Sequence, residues 1–353
     1  MTHRSLAIVV AAHNVGPFIH ACLSSCAQAS RGLKVHLSVM NDSSTDDTAE
    51  QIERFASEYP EIDVVVKSTD RLGPALARNE GLQLNGFADY VCFVDGDDLI
   101  CADSLARTIA KMEAFRADFA CPRVFAFDDG GRFHFEHDNA KLKRDVFGGR
   151  RNFITTARDT PQILDLETSM CMRIFRGDFF RDAGIRFPDL RMCEDVLPSR
   201  QAFMMAKSIL ITDDIYYLYR LNRDGQRTSQ ILENYFDMVE AISSSMDEGL
   251  KHILDNQQGA WLLHRLCKMA LWGVELIAPD LLGSYAARIA DVFERAPRGW
   301  WRSLLRLPGS GDRARQFAVL NAFRRSRLSR EQIVFNRQYR MIDKLFLKCK
   351  GIR

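Results

Sequence analysis

Four short apolar runs separated by helical stretches occupy the first hundred residues, and this alternation restricts the fold more than any other feature of the chain. Residues 6–12, 35–40, 64–67 and 90–94 have strand length, and residues 17–29, 45–59 and 74–84 read as helices between them. Asp46 and Asp47 fall in the first turn of the second helix, where carboxylates suit the helix dipole. Continuous apolar strands alternating with helices predict an α/β fold with a mostly parallel sheet covered on both faces. Ligands of such sheets sit beyond the carboxyl ends of the strands. Polar clusters fall there in this sequence: His13-Asn14, Asn41-Asp42-Ser43, residues 67–71, and Asp95-Gly96-Asp97-Asp98.

The pattern then loosens. A helix is expected over 103–117, and strands over 119–127 and 132–137 around the turn Asp128-Asp129-Gly130-Gly131. Residues 147–166 read as a long loop, and 169–212 as two helical runs around Cys193-Glu194-Asp195. Beyond about residue 230 the spacing is helical only, as in Tyr235, Met238, Ile242, Met246 and Leu250. A chain of 353 residues suits two domains, here 1–230 and 231–353.

Lys and Arg number 48 against 46 Asp and Glu, but the charge is unevenly spread. Residues 297–353 carry 15 basic and 3 acidic side chains, leaving 33 basic and 43 acidic in the rest. An acidic body with a basic tail argues against a dedicated nucleic-acid binder. Nine cysteines without a C-x-x-C pair argue against a zinc ribbon or a thioredoxin motif. The apolar run at 6–12 is too short for a signal peptide, and no stretch has the length of a membrane span, so a cytoplasmic protein is expected.

Three clusters carry chemistry. Carboxylates crowded at the end of strand 90–94 repel one another unless a cation joins them, and Mg²⁺ or Mn²⁺ takes such oxygen ligands together with substrate phosphates. Gly96 lets the backbone approach a ligand closely. A plain turn followed by a helix cap would use the same residues. In the second cluster, Asx-turn and capping roles account for 44–47 but leave Asp42 without a particular role. The third, Gly73-Pro74-Ala75-Leu76-Ala77-Arg78-Asn79-Glu80-Gly81, opens a helix with backbone N–H groups and an Arg at one edge, which suits an anion.

In this order and spacing, from about residue 6 to 229, these motifs resemble the inverting family 2 glycosyltransferases with the GT-A fold, of the bacterial cell-surface polysaccharide type. The resemblance implies a Rossmann-like sheet with a nucleotide-sugar-binding half (1–100) and an acceptor half (101–230), followed by a helical region. It implies a nucleotide-sugar donor, a UDP-sugar by preference, a glycan or lipid-linked acceptor, and Mn²⁺ or Mg²⁺. By the same resemblance Ala11, His13, Asn14, Asp42, Arg78, Asp95, Gly96 and Arg220 would bind the donor, and Asp97 and Asp98 the metal. Glu194-Asp195 resembles the family's Glu-Asp element, with Asp195 as general base. His13 stands where relatives often have Tyr, and Arg173 where Lys is frequent. Tyr216, Tyr217 and Tyr219 suit either a core or acceptor stacking, and His134 with His137 either ligands or a surface hairpin. A catalytically inactive nucleotide-sugar binder or assembly subunit would share the fold.

In the tail, Arg298, Arg302 and Arg306 share one side of a helical wheel, with Trp300, Trp301, Leu304, Leu305 and Leu307 opposite. Two readings fit: an interfacial helix drawn to anionic lipid at the inner face of the plasma membrane, or a packed helix with Trp in its core.

Overall fold

The computed structural model describes residues 4–84, 88–136, 148, 152–221, 235–253 and 255–307. Strand β1 (Ser5–Ala12) is apolar on both faces because it lies inside a sheet, between β2 (Lys34–Asp42) and β4 (Tyr90–Asp95). Strand β3 (Asp63–Thr69) forms the edge beyond β2, and all four run parallel. Helices α1 (Gly16–Ala29) and α2 (Thr48–Glu58) connect β1 to β2 and β2 to β3, and α3 (Pro74–Leu84) carries the chain back to β4. Right-handed crossovers place α1 and α2 on one face and α3 on the other. The strand order 3-2-1-4 reverses beside β1, so a switch-point crevice opens at the carboxyl ends of β1 and β4.

The second half of the sheet is mixed rather than parallel. Strand β5 (Leu99–Ile100) and helix α4 (Ser104–Phe115) lead into β6 (Phe119–Phe127), which pairs with the hairpin strand β7 (Phe133–Glu136). Strands β8 (Asn152–Thr155), β9 (Ile174–Arg176) and β10 (Ile209–Arg220) complete it. β9 is antiparallel to both β4 and β6, which turns β6 parallel to β4 and brings its carboxyl end to the same edge. β10 runs parallel to β6 and ends there too.

Several sequence-based boundaries move, for tertiary reasons. The expected loop at 147–166 contains β8, which exists by antiparallel pairing with β10, and a 3₁₀ turn at Pro161–Asp165. Of the two helical runs expected in 169–212, only the second matches a long helix. That segment forms a 3₁₀ turn (Met170–Met172), β9, α5 (Gly177–Asp182), α6 (Val196–Met205) and the start of β10. Three-residue strands carry no readable periodicity. Helix α2 starts at Thr48 rather than 45 because its leading residues serve α1: Thr45 N–H donates to Asn14 Oδ1 (2.8 Å), and Asp46 accepts from Gly16 N (2.9 Å).

Helix α3 lies against the sheet through Ala77 and Gly81. A Cβ at Gly81 would overlap the Val9 side chain and crowd Met40. Close approach of α3 to β1 therefore depends on glycine at this position.

The chain divides into two compact units, 1–160 with 166–224, and 161–165 with 225–353. The first contains the sheet. The expected boundary at 230 lies outside the described residues. The second unit comprises α7 (Phe236–His252), α8 (Asn256–Leu276), α9 (Leu282–Glu294) and α10 (Arg298–Leu304), with the 161–165 turn packed on α8. Asp255 caps α8, accepting from Gln257 N and Gln258 N at 3.1 Å. The interfacial reading of the tail needs correction over α10. Trp300 is buried on Gly259 of α8, Leu304 is buried as well, and Trp301 tilts against Phe293. The flat face left by glycine makes room for the indole. Leu305 stays exposed, and residues 308–353 lie outside the described set. Among described residues no helix is long and apolar enough to cross a membrane.

Within the second unit Asp165 meets His264 Nδ1 at 3.1 Å and Lys268 Nζ at 3.3 Å. Burial pushes its carboxyl up, but the His264 hydrogen bond and the Lys268 charge outweigh this and bring it down to about 2. A carboxylate depressed in the folded state stabilises above its ordinary range and loses that contribution as pH falls through the folded value. Acid titration of stability should therefore show a contribution fading from about pH 4 toward 2 that Asp165→Asn removes. Gly81→Ala should lower unfolding free energy by about 1–3 kcal/mol in denaturant melts, because α3 must lift from β1.

Candidate active site

The site is assembled where β1, β2, β4, β6 and β10 end. Its floor is the turn Asp95-Gly96-Asp97-Asp98. Gly96 N–H donates to Ala11 O (3.0 Å), so a backbone bond links the end of β1 to this turn. A Cβ at Gly96 would press on Val15, Ile19 and the Ala11 carbonyl, which explains glycine here. Asp98 points inward and is 1% exposed. Its Oδ2 accepts from the Tyr217 hydroxyl (2.8 Å) and its Oδ1 from Arg220 N (2.7 Å). Burial, followed by repulsion from Asp97 and Asp95, pushes its carboxyl well up. The expectation of Asp98 as a metal ligand is thus corrected: its oxygens brace the turn from inside. Asp97 is partly exposed, and its carbonyl accepts from Arg220 Nε (2.7 Å).

Arg220 also departs from its expected place. Its guanidinium lies between the rings of Phe18 and Phe127, 4.6 Å from each centroid, and pairs with Asp129 of the β6–β7 hairpin. It joins the hairpin to the acidic turn, and only 8% of it is exposed.

Asp42, expected to meet the base, is 7% exposed, with both oxygens engaged. They accept from Thr69 Oγ1 (2.8 Å), Leu72 N (2.7 Å) and Gly73 N (2.8 Å). This carboxylate holds the 69–73 turn that launches α3, with Gly73 at φ +81. His13 Nδ1 meets the Asp42 carbonyl, and Asn14, at φ 50, bonds to Ser44 and Thr45. His13 and Asn14 thus line the end of β1 beside β2.

Arg78 occupies the centre. Only 3% exposed, it donates through Nη2 to Asp95 Oδ1 (2.7 Å) and through Nη1 to Glu194 Oε1 (2.8 Å) and Asp195 Oδ1 (3.4 Å). The Phe187 ring lies 5.4 Å from its Cζ. The neighbouring Asn79 makes a reciprocal pair with the Phe187 backbone, Nδ2 to O at 2.8 Å and N to Oδ1 at 3.1 Å. α3 thereby recruits the 187–195 segment, which turns at Cys193 (φ 61) to present Glu194 and Asp195. Asp195 stands just before α6, yet its side chain makes no capping hydrogen bond; its Oδ2 accepts from Met170 N (3.1 Å). Burial pushes this carboxyl up to about 7, against Arg78, with Glu194 and Asp95 adding to the rise.

Sequence reasoning missed Tyr217, Asn79, Phe187 and Met170 as builders of the site. Asn79 stood within a motif already noticed; Met170 acts through its backbone and leaves no sequence signal. Tyr216 and Tyr217 are both buried, which settles them as core. His134 bonds Asp128 across the hairpin turn (2.7 Å), and His137 lies outside the described residues. Arg173 is buried and donates to the Met172 and Glu167 carbonyls. Thr228 and Ser229, which end the segment that carries the resemblance, also lie outside the described residues.

Among the described residues no cluster of three or more His, Cys, Asp or Glu is arranged to hold a metal. The hard carboxylate oxygens of Asp97 and Asp95 nevertheless suit Mg²⁺ or Mn²⁺, which commonly takes one or two carboxylates and completes its shell with substrate phosphates and water.

Carboxylates gathered at the switch point of a doubly wound sheet define the class of α/β protein whose ligand binds beyond the strand ends. Residues 7–182 match the family described as Glycosyl transferase family 2, and the chain belongs to that family. It is 22% identical over 252 residues to a poly(ribitol-phosphate) beta-glucosyltransferase of Bacillus spizizenii, covering 68% of this chain and 36% of that protein. The crystal structure of Staphylococcus aureus TarS 1–349 in complex with UDP-GlcNAc superimposes with a TM-score of 0.73 at 20% identity, over 91% of this chain and 88% of that one. The mannosyltransferase PcManGT from Pyrobaculum calidifontis, in complex with GDP-Man and Mn²⁺, matches with a TM-score of 0.53 at 16% identity, over 96% and 88%. The chain spans about a third to two-fifths of the length of the curated relatives it matches first.

Asp42→Ala would leave three donors of the 69–73 turn without their acceptor. A loss of about 1–3 kcal/mol in unfolding free energy is expected in denaturant melts.

Proposed function

We propose that this chain is an inverting, metal-dependent glycosyltransferase. It moves a sugar from a nucleotide-diphosphate sugar, a UDP-sugar by preference, to a hydroxyl of a glycan or lipid-linked acceptor in cell-surface polysaccharide synthesis. The observation that carries this reading is the set of carboxylates around Arg78, in which Asp195 has a proton affinity near neutrality.

Inversion requires one carboxylate to take the acceptor hydroxyl's proton while that oxygen attacks the anomeric carbon opposite the departing diphosphate. Asp195 takes that proton, and a pKa of about 7 suits a base working at neutral pH. Asp97 would hold Mn²⁺ or Mg²⁺, and Asp95, His13 and Asn14 face the donor. When bound, the cation offsets negative charge on the leaving diphosphate. Asp98, Tyr217 and Arg220 keep Asp97 in place through the backbone of its turn. The basic residues between 308 and 353 would draw the enzyme to the anionic cytoplasmic face of a membrane, where a lipid-linked acceptor lies.

Calorimetric titration with UDP, GDP, CDP and dTDP, each with and without Mn²⁺, tests the donor class. Metal-dependent binding of one diphosphate, abolished by Asp97→Ala, is expected; a folded protein that binds none of them would sink the reading. Asp195→Asn should cut kcat by roughly 10²–10⁴-fold while leaving diphosphate binding intact. Because the base works ionised, kcat/KM should rise with pH up to about 7 and then level off.

A further inference from the structure

We propose that Arg78 is a positioning residue of the reaction: its guanidinium orients the Asp195 carboxylate for proton abstraction and, through Asp95, couples it to the turn that faces the donor. The inference rests on the function proposed above and departs from the resemblance, which gives Arg78 to the nucleotide.

Three observations carry it. First, Arg78 has little left to offer a diphosphate. Nη1 and Nη2 are bonded to Glu194, Asp195 and Asp95, one face lies over Phe187, Nε is buried, and the residue is 3% exposed. A phosphate could reach it only by displacing the enzyme's own carboxylates. Second, the bonds are unequal. Glu194 and Asp95 hold the guanidinium at 2.8 and 2.7 Å, whereas Asp195 stands at 3.4 Å. Glu194 and Asp95 therefore fix the cation, and the cation steers Asp195 without saturating it. Met170 N–H holds the second Asp195 oxygen from another element (3.1 Å), so two directions set the plane of the carboxylate. Third, the arginine is itself anchored. Asn79 locks α3 to Phe187, and Ala77 and Gly81 seat the helix on the sheet.

The charged and titratable groups facing Asp195 are Arg78 from α3, Asp95 from β4, Cys171 from the 170–172 turn, and the adjacent Glu194. Arg78 is the cation among them. Without it three carboxylates crowd one pocket, and the base holds its proton to higher pH.

The test uses the full chain as wild type, Arg78→Lys and Arg78→Gln. Lysine keeps the charge but, as a point charge, cannot fork across three carboxylates. UDP–Mn²⁺ affinity is measured by calorimetry, kcat by sugar transfer, and the ionisation of Asp195 by carboxylate ¹³C NMR, with Asp195→Asn identifying the resonance. Arg78→Lys should bind UDP–Mn²⁺ as the wild type does and lose kcat on the order of 10²-fold. Arg78→Gln should raise the Asp195 midpoint and the acidic limb of kcat/KM by about one pH unit or more. If UDP–Mn²⁺ affinity falls as far as kcat, Arg78 is a nucleotide ligand and the proposal is overturned. An unchanged Asp195 titration in both variants overturns it equally. Should Arg78→Gln fail to fold, Arg78→Lys decides through kcat, affinity and the NMR midpoint. Absence of donor binding in the wild type would instead defeat the proposed function, and the NMR comparison would still judge Arg78.

Discussion

One buried guanidinium governs the arrangement of the site. Asp95, Glu194 and Asp195 come from segments a hundred residues apart, and three carboxylates do not share a pocket without a cation. Arg78 supplies it from the first turns of α3, a helix that can reach the strand ends only because Gly81 admits it against β1. A buried charge cluster is costly unless its members are paired, so the position of α3, the turn at Cys193 and the end of β4 become mutually dependent. The fold of the sheet and the placement of the base are thus one problem rather than two.

A second, smaller assembly keeps the acidic turn in shape. Asp98 is turned inward and bonded to Tyr217 and the Arg220 backbone, while the Arg220 side chain spans from the Asp97 carbonyl to Asp129. Residues that a motif would place at the ligand therefore serve as its scaffold. Asp42 behaves alike, spending its oxygens on the 69–73 turn. Three carboxylates within four residues at a strand end do not do the same work: Asp97 stays partly exposed, whereas Asp98 is buried and bonded to Tyr217 and the Arg220 backbone.

Much of this was legible in the chain. The first four strands and three helices follow from apolar runs of strand length and from Pro74, and the crevice from their order. The motif Gly73 to Gly81 also reads through, because its residues have separate physical roles. Gly73 takes the positive φ, Ala77 and Gly81 allow the close packing, Arg78 brings the charge, and Asn79 makes the tie to Phe187. Less was legible in 147–212, where β8 and β9 are four and three residues long and exist only through their partners. The tail was ambiguous because an amphipathic helix presents the same wheel to a membrane as to a protein core; Gly259, forty residues upstream, is where the Trp300 indole packs.

The sequence by itself determined the α/β half, the family, and which residue types gather at the strand ends, because periodicity and motif order are local properties. Only the tertiary structure decided which carboxylate faces the crevice and which is buried, and that Arg78 bonds to protein carboxylates rather than lying open to solvent. Those outcomes turn on pairing between segments far apart in the chain. A charge is silent about its partner until folding removes the water from around it.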